Sequence, residues 1–86
     1  MIHHFPRTTY VDTNGLWEQL NHIQSEMREL FDAYFNDPSG RVAEEAMDLI
    51  HSVETLLHIL EERYGVELDY VRDHVKSKNM ARGYYS

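Results

Sequence analysis

Apolar residues recur at helical spacing over most of this chain, and the pattern predicts three helices. The first runs from about Leu16 to Phe35, and its apolar stripe consists of Leu16, Leu20, Ile23, Met27, Leu30, Phe31 and Tyr34. The second runs from about Arg41 to Tyr64, with a stripe of Val42, Ala46, Leu49, Ile50, Val53, Leu56, Leu57 and Leu60. A third, shorter helix is predicted in residues 66–78, capped by Asp69, with Leu68, Val71 and Val75 apolar.

Turn and cap signals separate these segments. Polar residues at 12–14 provide a helix cap signal, Asp37-Pro38 with Gly40 predicts a sharp turn, and Gly65 is a suitable helix stop. No strand pattern or internal repeat is visible. The sequence therefore predicts a single all-α domain over residues 1–86, with an N-terminal arm (1–11), a helical core (12–78) and a less regular C-terminal tail (79–86). Its centre is an antiparallel hairpin of the two long helices.

The length of the chain favours self-association. A chain of 86 residues buries only roughly 60–65% of the surface that its unfolded form exposes, and two long helices alone bury little. We therefore expect a homodimer or homotetramer with four-helix bundle character. There is no cysteine, no apolar run of the roughly 20 residues that a membrane span needs, and no signal-peptide order at the start. We expect a soluble, cytoplasmic protein without a membrane partner.

Charge is unevenly distributed along the chain. The net charge of −7 argues against binding a nucleic-acid polymer through a broad basic face. Residues 72–86 nevertheless contain four of the eight Lys and Arg residues, and Asp73 is the single acid there. An acidic body with a basic end suggests two complementary binding roles.

Two pairs of carboxylates flank the apolar stripes. Glu26 and Glu29 on the first helix, and Glu45 and Asp48 on the second, each have i, i+3 spacing, so the two acids of a pair project together. If the helices fold back at Pro38, the two pairs lie within about one turn of each other. Four converging carboxylates repel one another, and a divalent cation with oxygen ligands would compensate. The alternative is that these acids form a solvated face.

Three motifs in order resemble the MazG-like all-α nucleotide pyrophosphohydrolases. They are Glu26-Met-Arg-Glu29, then Glu44-Glu45-Ala-Met-Asp48, and finally the C-terminal stretch KSKNMARGYY, and together the resemblance covers about residues 16–85. The inter-helix segment is shorter than in many members of that family. This leaves the base and sugar of a substrate open, and it favours a pocket completed by a neighbouring subunit.

The resemblance implies hydrolysis of a nucleoside triphosphate to a monophosphate and pyrophosphate with Mg²⁺, for which Mn²⁺ is a possible substitute. It implies that Glu26, Glu29, Glu45 and Asp48 are the metal-binding and catalytic residues. It also implies that Lys78, Asn79 and Arg82 contact phosphates or sugar and that Tyr84 closes the pocket. These roles are chemically reasonable, because Arg82 offers a planar fork for phosphate oxygens and Lys78 a point charge.

A few other residues have candidate roles. Trp17, at the start of the first helix, is a candidate for stacking on a nucleobase, although packing in the core or between subunits is the alternative for the aromatic residues. His22 lies one turn before Glu26 and could orient it. Asp48 and His51 form one partial copy of a di-iron motif that requires two copies, so iron is not expected.

Two further functions remain open at this point. The chain could be a non-enzymatic helical interaction or regulatory protein, in which the acids only face solvent. It could also be a degenerate relative that binds nucleotide and turns it over poorly.

Overall fold

The structure, a computed structural model, describes residues 1–37 and 40–85. Within these ranges it contains four helices and no strand: α1 (Tyr10–Thr13), α2 (Leu16–Asn36), α3 (Val42–Tyr64) and α4 (Leu68–Ala81). The all-α prediction is confirmed. Pro38, on which the predicted turn falls, lies outside the described residues, as do Ser39 and Ser86. Among the helices described, none is long and apolar enough to cross a membrane.

The two long helices begin and end within one residue of their predicted limits. Gly65 ends α3 with a φ of 68°, in the left-handed region that glycine adopts without strain. The N–H of Val66 then donates to the carbonyl of Leu60 at 3.1 Å, so this carbonyl in the last turn of α3 has a partner. The prediction that Gly65 ends the second long helix is therefore confirmed.

The predicted caps are wrong, and the predicted tail begins three residues too early. Residues 12–14 do not cap α2, because Gly15 occupies its N-cap position. The helix α4 begins at Leu68 and has no side-chain cap from Asp69. Competing partners explain this: Asp12 binds Arg7 at 2.6 Å, and Asp69 pairs with Arg72 at 3.3 Å. The arm prediction missed α1, and α4 continues to Ala81, so residues 79–81 are helical rather than irregular.

A polar seam joins α2 to α3. On each helix the seam follows residues seven positions apart: Gln19, Glu26 and Ala33 on α2, and Glu45, Ser52 and Ile59 on α3. Gln19, fully buried, donates its side-chain amide to the carbonyl of Ser52 at 2.9 Å. Near the C-terminal end of α3, Arg63 donates to the carbonyls of Val11 and Asn14, which precede the first residue of α2. The contacts therefore follow opposite orders along the two helices.

The apolar stripes lie largely outside this seam. Leu20, Met27 and Phe31 on α2 are 47%, 40% and 59% exposed, and Ile50 and Val53 on α3 are also exposed. In the single chain, therefore, these stripes do not form the interior. The reason is that α3 packs on the flank of α2 that carries Gln19 and Glu26, rather than on the centre of the stripe.

The N-terminal segment (residues 1–9) packs on α3 through a buried carboxylate. The backbone N–H groups of His4 and Phe5 each donate to Glu54 at 2.9 Å, and Nδ1 of His4 lies 2.9 Å from the same carboxylate. Thr8 and Thr55 hydroxyls meet at 3.2 Å further along. Burial alone would raise the pKa of Glu54, but the hydrogen bonds from His4 and Phe5 outweigh it, and the pKa is lowered.

Replacing Glu54 by Gln should lower the free energy of unfolding by about 1–3 kcal/mol at neutral pH, because an amide cannot accept this set of hydrogen bonds. The folded carboxyl titrates below its ordinary pKa of 4.5. The difference between the two proteins should therefore be constant above that value and disappear as the pH falls through the lower, folded pKa. Urea unfolding at a series of pH values measures it.

Asp73→Asn is the matched control, since Asp73 is exposed and pairs only with its neighbour Arg72 in the contacts described. This variant should unfold like the wild-type protein. Equal stability of Glu54→Gln and Asp73→Asn at neutral pH would show that the Glu54 contacts do not anchor the N-terminal segment.

Candidate metal centre

Three carboxylates converge where the middle of α2 packs against the first turns of α3 along the polar seam. Glu26, Glu29 and Glu45 each offer an oxygen, and these atoms lie within 4.8 Å of one another. Glu45 is buried, the Glu26 side chain is 14% exposed, and Glu29 is exposed. The i, i+3 spacing places both α2 acids on one flank, and the opposite order of the α3 contacts brings Glu45 level with them. We call these three residues the acid cluster.

Asp48, the fourth predicted site acid, lies beside the acid cluster rather than within it. It is exposed, it follows Glu45 by one turn of α3, and it lines a cavity together with Glu26. Its charge contributes to the raised pKa of Glu26. The structure thus brings three of the predicted acids into one cluster and places the fourth next to it.

The acid cluster is electrostatically unfavourable as it stands. Burial raises the pKa of Glu26, and the nearby charge of Glu29 raises it further. His22 opposes this shift, with Nε2 3.3 Å from Oε1 of Glu26. This contact agrees with the orienting role considered for His22.

Two oxygens of the acid cluster lack partners. Oε2 of Glu26 and Oε2 of Glu45 are buried, and neither has a hydrogen-bond partner among the described residues. Buried acceptors in folded proteins are nearly always satisfied, and leaving one unpaired costs free energy. A cation held by Glu26, Glu29 and Glu45 would satisfy both oxygens and remove the repulsion between the charges. The all-oxygen donor set suits Mg²⁺ or Mn²⁺.

Arg41 already neutralises part of this charge. Its Nη2 lies 2.8 Å from Oε1 of Glu45, and its Nε lies 3.5 Å from Glu44 and 3.7 Å from Asp37. Sequence reasoning did not single out Arg41. The i, i+4 spacing of Arg41 and Glu45, which favours ion pairs on a helix, was the signal that could have identified it.

Cavities lie on both sides of the acid cluster. The larger, of about 490 Å³, is lined by Glu29, Asp32, Ala33, Asn36, Asp37, Arg41 and Glu45. The smaller, of about 230 Å³, is lined by Thr8, Tyr10, Gln19, His22, Glu26, Asp48, His51, Ser52 and Thr55. We refer to them as the large cavity and the small cavity. The N-terminal segment and α1 thus form one wall of the small cavity, a role that the sequence pattern did not indicate.

The predicted substrate-binding residues lie elsewhere in the single chain. Lys78, Arg82 and Tyr84 are exposed and Asn79 is partly exposed at the end of α4, and none of them lines the large or the small cavity. Trp17 is 74% exposed and lies with Leu20, Ile23 and Met27 on an apolar surface of α2. One chain therefore does not bring these residues to the acid cluster.

Comparison of the chain with protein-family models, with curated proteins and with solved structures gives no match.

Replacing Glu26 by Gln should raise the free energy of unfolding in EDTA by about 0.5–2 kcal/mol, the gain typical of a single stabilising substitution. The variant removes a buried negative charge that Glu29 repels. It should also lose the stabilisation that Mg²⁺ gives the wild-type protein, because a ligand is lost. Thermal unfolding with Mg²⁺ and with EDTA measures both effects.

Glu18→Gln provides the control on the same helix, since Glu18 is exposed and lines neither cavity. It should respond to Mg²⁺ as the wild-type protein does. An unchanged Mg²⁺ response in Glu26→Gln would remove Glu26 from the metal site.

Proposed function

We propose that this protein is a Mg²⁺-dependent nucleoside triphosphate pyrophosphohydrolase of the MazG-like type. It would convert a ribo- or deoxynucleoside triphosphate into the monophosphate and pyrophosphate. The observation that carries the proposal is the acid cluster with its two buried, unpartnered oxygens. We place the activity in the cytoplasm, where nucleoside triphosphates and Mg²⁺ occur together.

Glu26, Glu29 and Glu45, with Asp48 beside them, would hold the metal. When bound, Mg²⁺ neutralises phosphate charge and lowers the pKa of a coordinated water. In the reaction, the oxygen of a water molecule bonds to the α-phosphorus, and the bond from this phosphorus to the bridging oxygen breaks. The electron pair leaves with pyrophosphate, and one of the four carboxylates accepts the proton of the water.

The basic end of α4 would bind the triphosphate from a second subunit. Lys78, Asn79, Arg82 and Tyr84 are proposed as the phosphate, sugar and pocket-closing contacts, because none of them lines a cavity at the acid cluster of its own chain. Trp17 is proposed to stack on the base from the same direction. Positive residues supplied in this way would balance the phosphate charge that the metal does not reach.

Self-association would provide that second subunit. The exposed stripe residues of α2 and α3 form apolar surface on the faces that the polar seam leaves uncovered. We propose that the α2–α3 hairpin pairs with its copy in a homodimer or homotetramer, which completes a four-helix bundle.

The activity is tested by measuring pyrophosphate release from a panel of ribo- and deoxynucleoside triphosphates, with Mg²⁺ and with EDTA. Glu45→Gln should reduce the Mg²⁺-dependent rate by at least about 100-fold, since it removes a buried ligand that stabilises developing charge. Glu18→Gln should keep the wild-type rate. Release of single phosphate, or full activity in Glu45→Gln, would contradict the proposed reaction or site.

The oligomer is tested by a charge placed on the exposed stripe. Leu20→Glu should shift the wild-type dimer or tetramer toward monomer, because the charge would be desolvated in the bundle. Arg28→Gln, which changes the charge of α2 by the same amount at an exposed polar position, should retain the wild-type mass. Sedimentation velocity measures the masses, and a monomeric wild-type protein would exclude the bundle.

One observation favours a non-enzymatic alternative. The apolar stripes are also suitable surfaces for a different helical protein, as an interaction or regulatory partner would require. In that case no nucleotide would be hydrolysed and Mg²⁺ would not change the melting temperature. A degenerate relative would instead bind a non-hydrolysable triphosphate analogue with Mg²⁺ while releasing no pyrophosphate.

A further inference from the structure

A second group of potential metal ligands lies where the N-terminal segment crosses α3. The imidazole rings of His3 and His58 are 3.9 Å apart between centroids, with 30° between their planes. Nε2 of His3 and Nε2 of His58 are both buried, and neither has a hydrogen-bond partner among the described residues. Two adjacent rings with unpaired nitrogens are costly without a shared partner.

Glu61 completes the group. It follows His58 by three residues, so both side chains lie on the same face of α3. One ligand atom from each of His3, His58 and Glu61 lies within 4.8 Å of the other two. Ligand atoms around a tetrahedral zinc lie about 3.3 Å apart, given metal–nitrogen distances of about 2.0–2.1 Å. The three ligand atoms would therefore have to move closer together by at most about 1.5 Å to share one zinc ion.

Neighbouring contacts position both histidines. Nδ1 of His58 faces the carboxylate of Glu62 at 3.8 Å, and Arg7 holds that carboxylate at 2.9 Å. The 3.8 Å separation is an ion-pair distance, too long for a hydrogen bond, but it places a carboxylate on the Nδ1 side of the ring, so Nε2 is left for the ion. The backbone next to His3 is fixed on α3, because the N–H groups of His4 and Phe5 donate to Glu54.

We propose that His3, His58 and Glu61 bind one zinc ion, or a similar borderline transition metal, which links the N-terminal segment to α3. Two imidazoles and one carboxylate form a donor set typical of zinc, and water would take the fourth position. Mg²⁺ prefers oxygen ligands only, so this site and the acid cluster differ in the metal that they select.

The test uses metal-free full-length protein titrated with Zn²⁺ by calorimetry in excess Mg²⁺, which occupies oxygen-only sites. The wild-type protein should bind one Zn²⁺ per chain. His58→Gln and Glu61→Gln should each weaken binding by at least about 10–100-fold, the loss typical even for removal of an outer-shell partner. Co²⁺ in place of Zn²⁺ should give the visible absorption of a four-coordinate site in the wild-type protein and lose it in both variants.

The controls separate this site from other ways of binding zinc. His74→Gln removes an exposed histidine of α4 and should leave Zn²⁺ affinity unchanged, and Glu45→Gln should also leave it unchanged. Glu61 is exposed, so Glu61→Gln tests the site without disturbing the fold. The proposal is overturned if the wild-type protein does not bind Zn²⁺, or if its affinity survives both His58→Gln and Glu61→Gln.

Discussion

The polar seam between α2 and α3 determines where both the acids and the apolar stripes of the chain lie. Two long helices normally meet through their most apolar faces, because this buries the largest apolar area. Here they meet along lines of residues seven apart, which include Gln19, Glu26, Glu45 and Ser52. The Gln19 amide is satisfied by the carbonyl of Ser52, but two carboxylate oxygens are not satisfied. The seam therefore holds acids in a position that costs stability unless a cation joins them.

The same packing leaves the apolar stripes outside. Among the residues that the structure describes, the buried hydrophobic ones are Val11, Ala33, Ile59 and Leu68, whereas Trp17, Phe31 and Tyr34 are mostly exposed. So small a core is weak support for a chain that buries charged groups. Covering the stripes with a second copy would add hydrophobic stabilisation without touching the acid cluster. In this arrangement the metal-binding acids lie within one chain, and the added hydrophobic stabilisation lies between chains.

Periodicity and turn signals were sufficient to predict α2 and α3 to within a residue, together with the glycine that ends α3. They also predicted that Glu26, Glu29 and Glu45 lie close together. The i, i+3 spacing and the predicted turn at residues 37–40 determine which turns of the two helices lie side by side. A helical wheel shows where a stripe lies but not on which flank the neighbouring helix packs, so the polar seam was not predicted. Caps at Asp12 and Asp69 failed because each carboxylate has an arginine partner that a local pattern does not reveal. The Glu54 anchor joins residues about 50 positions apart, beyond any periodicity.

The N-terminal segment links the two proposed metal sites. It carries His3, its backbone is bound by Glu54, and its residue Thr8 lines the small cavity beside Glu26 and Asp48. A nine-residue segment without helical structure loses much conformational entropy when it is ordered, and its few hydrogen bonds must offset that loss. A metal ion bridging His3 to α3 would reduce this freedom near the start of the segment. Because the chain then passes directly to Thr8 and Tyr10, fixing His3 also restricts the wall of the small cavity. A transition metal that takes no part in the proposed hydrolysis would therefore affect the shape of the cavity beside the acid cluster.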